Sequence, residues 1–213
     1  MATTMIQGGC LALEVARSYN GWLGTPSPSG LQALLSGAEE RVRYSKARVP
    51  EWNVWGPLND PNFFMPIVAL TGHPTLSVRW AGAIELIHFS LQEAMADLRG
   101  RLEAWTAATA PKSDEVICSS NSMPSLREHL AHLARRPAMY LGQNSAWLLH
   151  CYLTGLDRGG DWLRLPPFPE LREVIDRIEG KSYHAYGSPF GAYRIYEQEP
   201  AELLLWAGIS PIP

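Results

Sequence analysis

Between residues 75 and 105 apolar side chains return every three or four positions: Leu76, Trp80, Ala83, Ile84, Ile87, Leu91, Met95, Leu98 and Leu102. That period belongs to one face of an α-helix. A stripe of this length must lie on an apolar partner, so it commits the chain to a helical core. The spacing predicts one long helix, or two stacked ones, over Thr75–Trp105. The preceding sequence has the same character. Ile6–Tyr19 reads as a helix through Leu11 and Val15. Leu31–Arg48 reads as a second, with Leu31, Leu34, Leu35, Ala38 and Val42 on one face. Asp60-Pro61 is an N-cap followed by proline at the first helical position, opening a helix through Phe63, Ile67 and Val68 in which Pro66 makes a kink or sits in the first turn. No strand signal occurs before residue 110.

The pattern changes after the Ala-, Ser- and Thr-rich stretch from Thr106 to Ser122, which has the composition of a linker. Beyond it the elements shorten. Ser125 and Glu128 form a capping box for a helix that stops before Pro137. Ala146–Leu156 is a second helix, closed near Gly159-Gly160. Pro169–Ile178 is a third, ended by Gly180. Tyr183–Tyr196, rich in Tyr and Gly, reads as a short hairpin, and Glu199-Pro200 opens a last helix to Trp206. The expected architecture is mainly α with a small α+β part: a helical domain over 1–106, a linker over 107–122 and a small α+β domain over 123–213.

Composition excludes several classes. Of 213 residues, 46% are hydrophobic and 18% charged, a globular balance that rules out wholesale disorder. The net charge is −3, carried by the second half, where nine basic side chains face twelve acidic ones. No nucleic-acid partner is expected from that charge. Arg41, Arg43, Lys46 and Arg48 follow Glu39 and Glu40 and read as a solvated helix end. The stretch between Asp60 and Arg79 lacks charge but contains Pro61, Pro66 and Pro74, so no membrane span is expected. The three cysteines, Cys10, Cys118 and Cys151, are too scattered for a disulfide framework. With no signal-peptide pattern, the expected compartment is the cytoplasm.

No catalytic or metal constellation assembles from spacing alone. His129 and His132 follow Glu128, but the zincin order is His-Glu-x-x-His with the histidines four apart. Side by side they read as polar coating on a helix. His150 and Cys151 are adjacent on a helix and point about 100° apart, so they do not form a nucleophile–base pair. His88 reads as a helix-face histidine with a local partner. No cofactor is expected, since no phosphate loop or dinucleotide fingerprint is present. Eight Trp and eight Tyr supply residues of the kind that anchor binding surfaces. Candidate binding residues are Trp52 and Trp55 in the aromatic loop before Asp60, Arg136 and Tyr140 in the turn that follows, and Tyr183 and Tyr186 in the Tyr-rich segment.

The segment Arg135-Arg136-Pro137-Ala138-Met139-Tyr140-Leu141-Gly142 is the most distinctive motif. Pro137 stops a helix, Gly142 permits a tight turn, and Met139, Tyr140 and Leu141 are expected to pack as a short extended plug, largely buried. A similar string precedes the nucleotide-binding helix of gyrase-B-type ATPases. Here the following helix, Trp147–Leu153, has no acidic residue to activate water or hold magnesium. The region Leu126–Trp206 resembles a group of small bacterial immunity-like proteins found near toxin genes. The matching pieces are the turn motif, Leu153-Thr154-Gly155-Leu156, Phe168–Ile175, Lys181-Ser182-Tyr183 and Pro200–Trp206, with Ala138 where glycine is common. The resemblance implies a non-catalytic protein that binds and neutralises a cognate protein toxin. The alternative is an enzyme of a bacterial biosynthetic or defence locus, its site in the cleft between the two halves.

Overall fold

Side-chain caps at Asp60, Ser125 and Ser145, and left-handed glycines at Gly142 and Gly187, set several of the helix boundaries. The structure, a computed structural model, describes residues 11–18, 26–45, 48–50, 54–71, 80–108, 116–118 and 125–211. Helix α1 spans Leu11–Ser18 and α2 spans Pro28–Ser45. Strand β1 is Arg48–Pro50, and a 3-10 turn covers Gly56–Asn59. Helix α3, Pro61–Leu70, starts where the Asp60 carboxylate accepts from the Asn62 N–H, and it runs on through Pro66. The long apolar stripe is divided into α4, Trp80–Leu86, and α5, Leu91–Ala108. At the break His88 Nε2 lies 3.0 Å from Asp97 Oδ2, so this histidine has its local partner but sits in the bend. Strand β2, Val116–Cys118, pairs antiparallel with β1, with Val49 opposite Ile117.

The capping box at Ser125 and Glu128 forms in full and opens α6, Leu126–Arg135. Pro137 starts the one-turn helix α7, Pro137–Leu141, which Gly142 ends at a left-handed φ of 90°. Helix α8 spans Ala146–Trp162, α9 Pro169–Tyr186, α10 Gly191–Ile195 and α11 Pro200–Trp206.

Three sequence expectations change here. The small α+β part is not found: the described residues are 78% helical, and after residue 125 all regular structure is helix. The one ribbon pairs β1, before residue 110, with β2, inside the stretch of linker composition. The segment expected as a hairpin is the end of α9, a turn at 187–190 and α10. Buried Ser182 holds that turn, donating to the Ser188 carbonyl at 2.7 Å and accepting from the Ala192 N–H at 2.9 Å.

The frame of the molecule is the pair α2 and α8. Leu34 lies beside Gly155, Gly37 beside Tyr152 and Leu156, and Ala38 beside Gly159. Partners advance together along both helices, so the two run parallel. A Cβ on Gly37 would overlap the Tyr152 carbonyl oxygen, and one on Gly155 the Leu34 carbonyl oxygen. Glycine is required at both positions by backbone approach, not by φ. The same contact explains why α8 runs through Gly159-Gly160 instead of stopping there: an added Cβ on Gly159 would come within 2.9 Å of the Ala38 Cα. Parallel helices place like dipole ends together, and each N-terminus here is met by a distant carboxylate. Glu85 accepts from the Ser29 N–H at 2.7 Å at the start of α2, and Glu197 accepts from the Trp147 N–H at 3.1 Å at the start of α8.

The buried apolar residues form two clusters on either side of this pair. One draws on residues between Leu11 and Leu102; the other draws on residues between Leu130 and Ala207, together with Ala33 of α2. Trp147 packs against both.

Candidate functional site

The turn motif delivers Tyr140 to the junction of α2, α6, α7 and α8. Because Pro137 starts a helical turn there, the motif is not an extended plug. Leu141 is buried, Tyr140 is half-buried, and Met139 is 59% exposed. The Tyr140 ring meets His129 edge-on, with centroids 5.4 Å apart. His129 is buried on α6, so it is not part of a polar coating, whereas His132 is exposed. His129 Nε2 and the Tyr152 hydroxyl share a 2.7 Å hydrogen bond, and its Nδ1 lies 3.9 Å from Glu40 Oε1. Burial lowers the His129 pKa to about 4, with His132 adding a smaller push, so the ring is neutral and its approach to Glu40 is not an ion pair. Burial also raises the Glu40 carboxyl, against the opposing effect of Arg43. The hydroxyls of Tyr152, Tyr44 and Tyr140 are pushed up by desolvation and then by Glu40. The Tyr44 hydroxyl is buried with no hydrogen-bond partner among the described residues.

Arg41 corrects the reading of the basic run as a solvated end. It is 4% exposed, its guanidinium lies 4.8 Å from the centre of the Phe168 ring, and it donates to the Pro166 carbonyl. Arg43 stays exposed and pairs with Glu39 at 2.5 Å. Lys46 falls outside the described residues.

A second cluster surrounds His150. It is 6% exposed, with Trp147, Phe190 and Tyr193 within 5.3 Å, centroid to centroid. Desolvation lowers its pKa to about 4. Its Nε2 and the Tyr193 hydroxyl are both buried without a hydrogen-bond partner among the described residues. Cys151 is fully buried, as expected of a small hydrophobe. No group of three or more metal-binding side chains occurs among the described residues.

An exposed aromatic surface lies at the end of α9 and beside α11. Residues 183 to 187 are exposed in succession, with Tyr183 at 61% and Tyr186 at 39%. Tyr186 and Tyr196 both lie against Trp206, with centroids 6.3 and 6.1 Å apart. Lys181 donates to the Trp206 carbonyl at 2.8 Å, its Nζ 5.5 Å from the centre of the indole ring. Beside this aromatic ledge is a cleft of about 420 Å³ between the α6–α7 corner and α11, lined by Arg135, Pro137, Asn144, Gln198, Glu199 and Glu202.

The structure distributes the candidate binding residues over three places. Trp52 lies outside the described residues. Trp55 is 8% exposed in the first core and donates its indole N–H to Glu39 at 3.0 Å. Arg136 is exposed at the α6–α7 corner, one residue from the cleft wall, with Tyr140 on the same short helix. Tyr183 and Tyr186 belong to the aromatic ledge. The ledge also takes Tyr196 and Trp206, and the cleft takes Glu199 and Glu202; sequence spacing gave no sign of either grouping, because the ledge forms where the Tyr186, Tyr196 and Trp206 rings meet and the cleft where α11 packs beside the α6–α7 corner.

No helix among the described residues is long and apolar enough to cross a membrane. Comparison with protein-family models, curated proteins and solved structures finds no match to this chain.

Proposed function

We propose that the chain is a non-catalytic, immunity-like binding protein that neutralises a cognate toxin in the bacterial cytoplasm. The observation that carries this reading is the exposed aromatic end of α9. Tyr183 and Tyr186 are exposed on the helix, Tyr186 beside Trp206, and large aromatic side chains with one polar end are the usual anchors of protein interfaces. The two buried histidines are neutral and enclosed by aromatic rings, a packing arrangement rather than an open reaction site. The resemblance of Leu126–Trp206 to immunity-like proteins supplies the class of partner. The test is co-expression with the toxin encoded beside this gene. The intact chain should restore growth, and Tyr183→Ser with Tyr186→Ser should abolish the rescue while the variant still melts cooperatively above the assay temperature. Rescue that survives this double change removes the aromatic surface from the reading; absence of rescue by the intact chain removes the toxin.

A second reading, an enzyme working between the two halves, draws on Glu40, His129 and Tyr152, which meet where α2 of the first half touches α6 and α8 of the second. Tyr152→Phe separates the two. An acid–base role for the hydroxyl requires loss of function at unchanged stability. The binding reading expects function to persist.

A further inference from the structure

We propose that residues 164–168 are a strap that closes over the polar cluster of Glu40, His129 and Tyr152, and that one side chain, Arg41 of α2, locks it shut. The strap belongs to the junction of the two halves and not to the aromatic ledge, so it stands or falls apart from the toxin reading.

The strap joins α8 to α9 without regular structure, and none of its residues is buried. Its backbone can make few tethers, because Pro166 and Pro167 have no N–H to donate. The Leu165 N–H donates to the Gly160 carbonyl at 2.8 Å, and Leu165 packs half-buried on the first core. Beyond that point the hold passes to Arg41. It donates to the Pro166 carbonyl and sets its guanidinium 4.8 Å from the centre of the Phe168 ring. Phe168 in turn lies against Tyr44, with centroids 5.4 Å apart, and Tyr44 meets His129 edge-on at 5.8 Å. The cover therefore runs from Phe168 through Tyr44 to His129, with the Tyr152 hydroxyl bonded to His129 and Glu40 beside it.

Two features burden the closed position, and both are relieved when the strap lifts. Arg164 sits at φ 54°, the only non-glycine residue at positive φ among the described residues, and an L side chain adopts that conformation at a cost. Arg41 is 4% exposed, and its Nε is buried without a hydrogen-bond partner among the described residues. A buried N–H left unpaired is unfavourable, so the guanidinium gains water as the Pro166 carbonyl leaves. Holding the strap down are the Leu165 and Pro166 hydrogen bonds and the contacts of Leu165 and Phe168. With strain on the closed side and few bonds to break, the strap opens locally while the helices around it stay packed. Its opening frees the Tyr44 hydroxyl and gives solvent a path to Glu40 and His129.

The experiment treats the full chain with N-acetylimidazole, which acetylates accessible tyrosine hydroxyls, and maps the products by mass spectrometry. Tyr193 is the matched control: its hydroxyl, like that of Tyr44, is buried without a partner among the described residues, but its ring belongs to the His150 cluster. Exposed Tyr183 reports on the reagent itself. In the intact chain Tyr44 should react about tenfold faster than Tyr193, through local opening. Phe168→Ala should raise the Tyr44 rate several-fold and leave Tyr193 unchanged. Arg164→Asn, a residue that tolerates left-handed backbone, should slow Tyr44 several-fold with Tyr193 again unchanged. Equal rates at Tyr44 and Tyr193 in the intact chain overturn the strap, since both are then reached only by global unfolding. So does a Phe168→Ala variant in which the two rates rise together, or an Arg164→Asn variant in which the Tyr44 rate does not fall. Should Phe168→Ala fail to fold, the intact chain and Arg164→Asn decide. Toxin rescue has no bearing on any of these rates.

Discussion

His129 and His150 are each held uncharged by burial, and both titrate within a range that is easily reached. Unfolded, a histidine titrates near 6.5; in the native chain each titrates at about 4. Between these values the unfolded chain binds more protons than the folded one. Stability is therefore complete above about pH 6.5 and is lost as the pH falls toward 4. At about 1.4 kcal/mol per pKa unit, the loss is on the order of 3 kcal/mol for each ring. Urea midpoints should be flat from pH 7 to 8 and fall steeply between 6 and 4. His150→Phe should flatten roughly half of that slope. It should cost little at pH 7, because the Nε2 it removes has no hydrogen-bond partner among the described residues. Retention of the full slope would show that His150 is not one of the titrating groups. Tyr140 belongs to the same scale. The motif alone suggests a largely buried plug, but the half-buried ring leaned on His129 should cost about 1–2 kcal/mol in Tyr140→Ala, less than a full core truncation. A chemical melt measures it.

At the scale of elements, capping and proline signals were legible and glycine stops were not. Asp60, Ser125 and Pro200 act as the sequence implies, because a cap is a local hydrogen bond or a fixed φ that needs no tertiary partner. Glycine is ambiguous by nature: it ends helices through positive φ and it permits close approach within them. Gly159 and Gly160 do the second, α8 continuing past them against α2. Gly180 does neither; α9 passes through it with open space around it and ends at Gly187, where φ is 68°. Two substitutions separate these roles. Gly155→Ala places a methyl group on the Leu34 backbone, which cannot move without shifting a helix, so a loss of more than about 3 kcal/mol is expected. Gly180→Ala has room for its methyl group and should stabilise by about 0.5–1 kcal/mol. Thermal melts of the two variants should move in opposite directions. A mild effect at Gly155 would mean that the two helices are farther apart than their backbones indicate.

At the scale of the whole molecule, the chain divides its core by sequence and then ties the parts together through one helix pair. The apolar clusters follow the two halves almost residue for residue, which is why the change of pattern near residue 106 was visible in one dimension. The candidate surface was half visible for the complementary reason. Tyr183 and Tyr186 stand out as aromatic residues in a Gly-rich segment, whereas Glu199 and Glu202 are ordinary charges until α11 packs beside the α6–α7 corner. The α2–α8 contact has no linear signature, since its glycines are more than a hundred positions apart. It decides how the halves should behave when the chain between them is cut. Lys112 is the only basic residue in the stretch 107–122, and the composition there favours early tryptic cleavage after it. With α2 of one fragment set against α8 of the other, and Trp147, Trp162 and Leu165 packed on the first core, the nicked halves should stay together. Gel filtration of the nicked protein should give one peak at the mass of the intact chain, resolving into two only in denaturant. The fragment 113–213, expressed alone, should lack a cooperative melt, because the face of α8 that carries Gly155 and Gly159 would be uncovered. Spontaneous separation into two fragments that each melt cooperatively would establish two independent domains and reduce the helix pair to a docking contact.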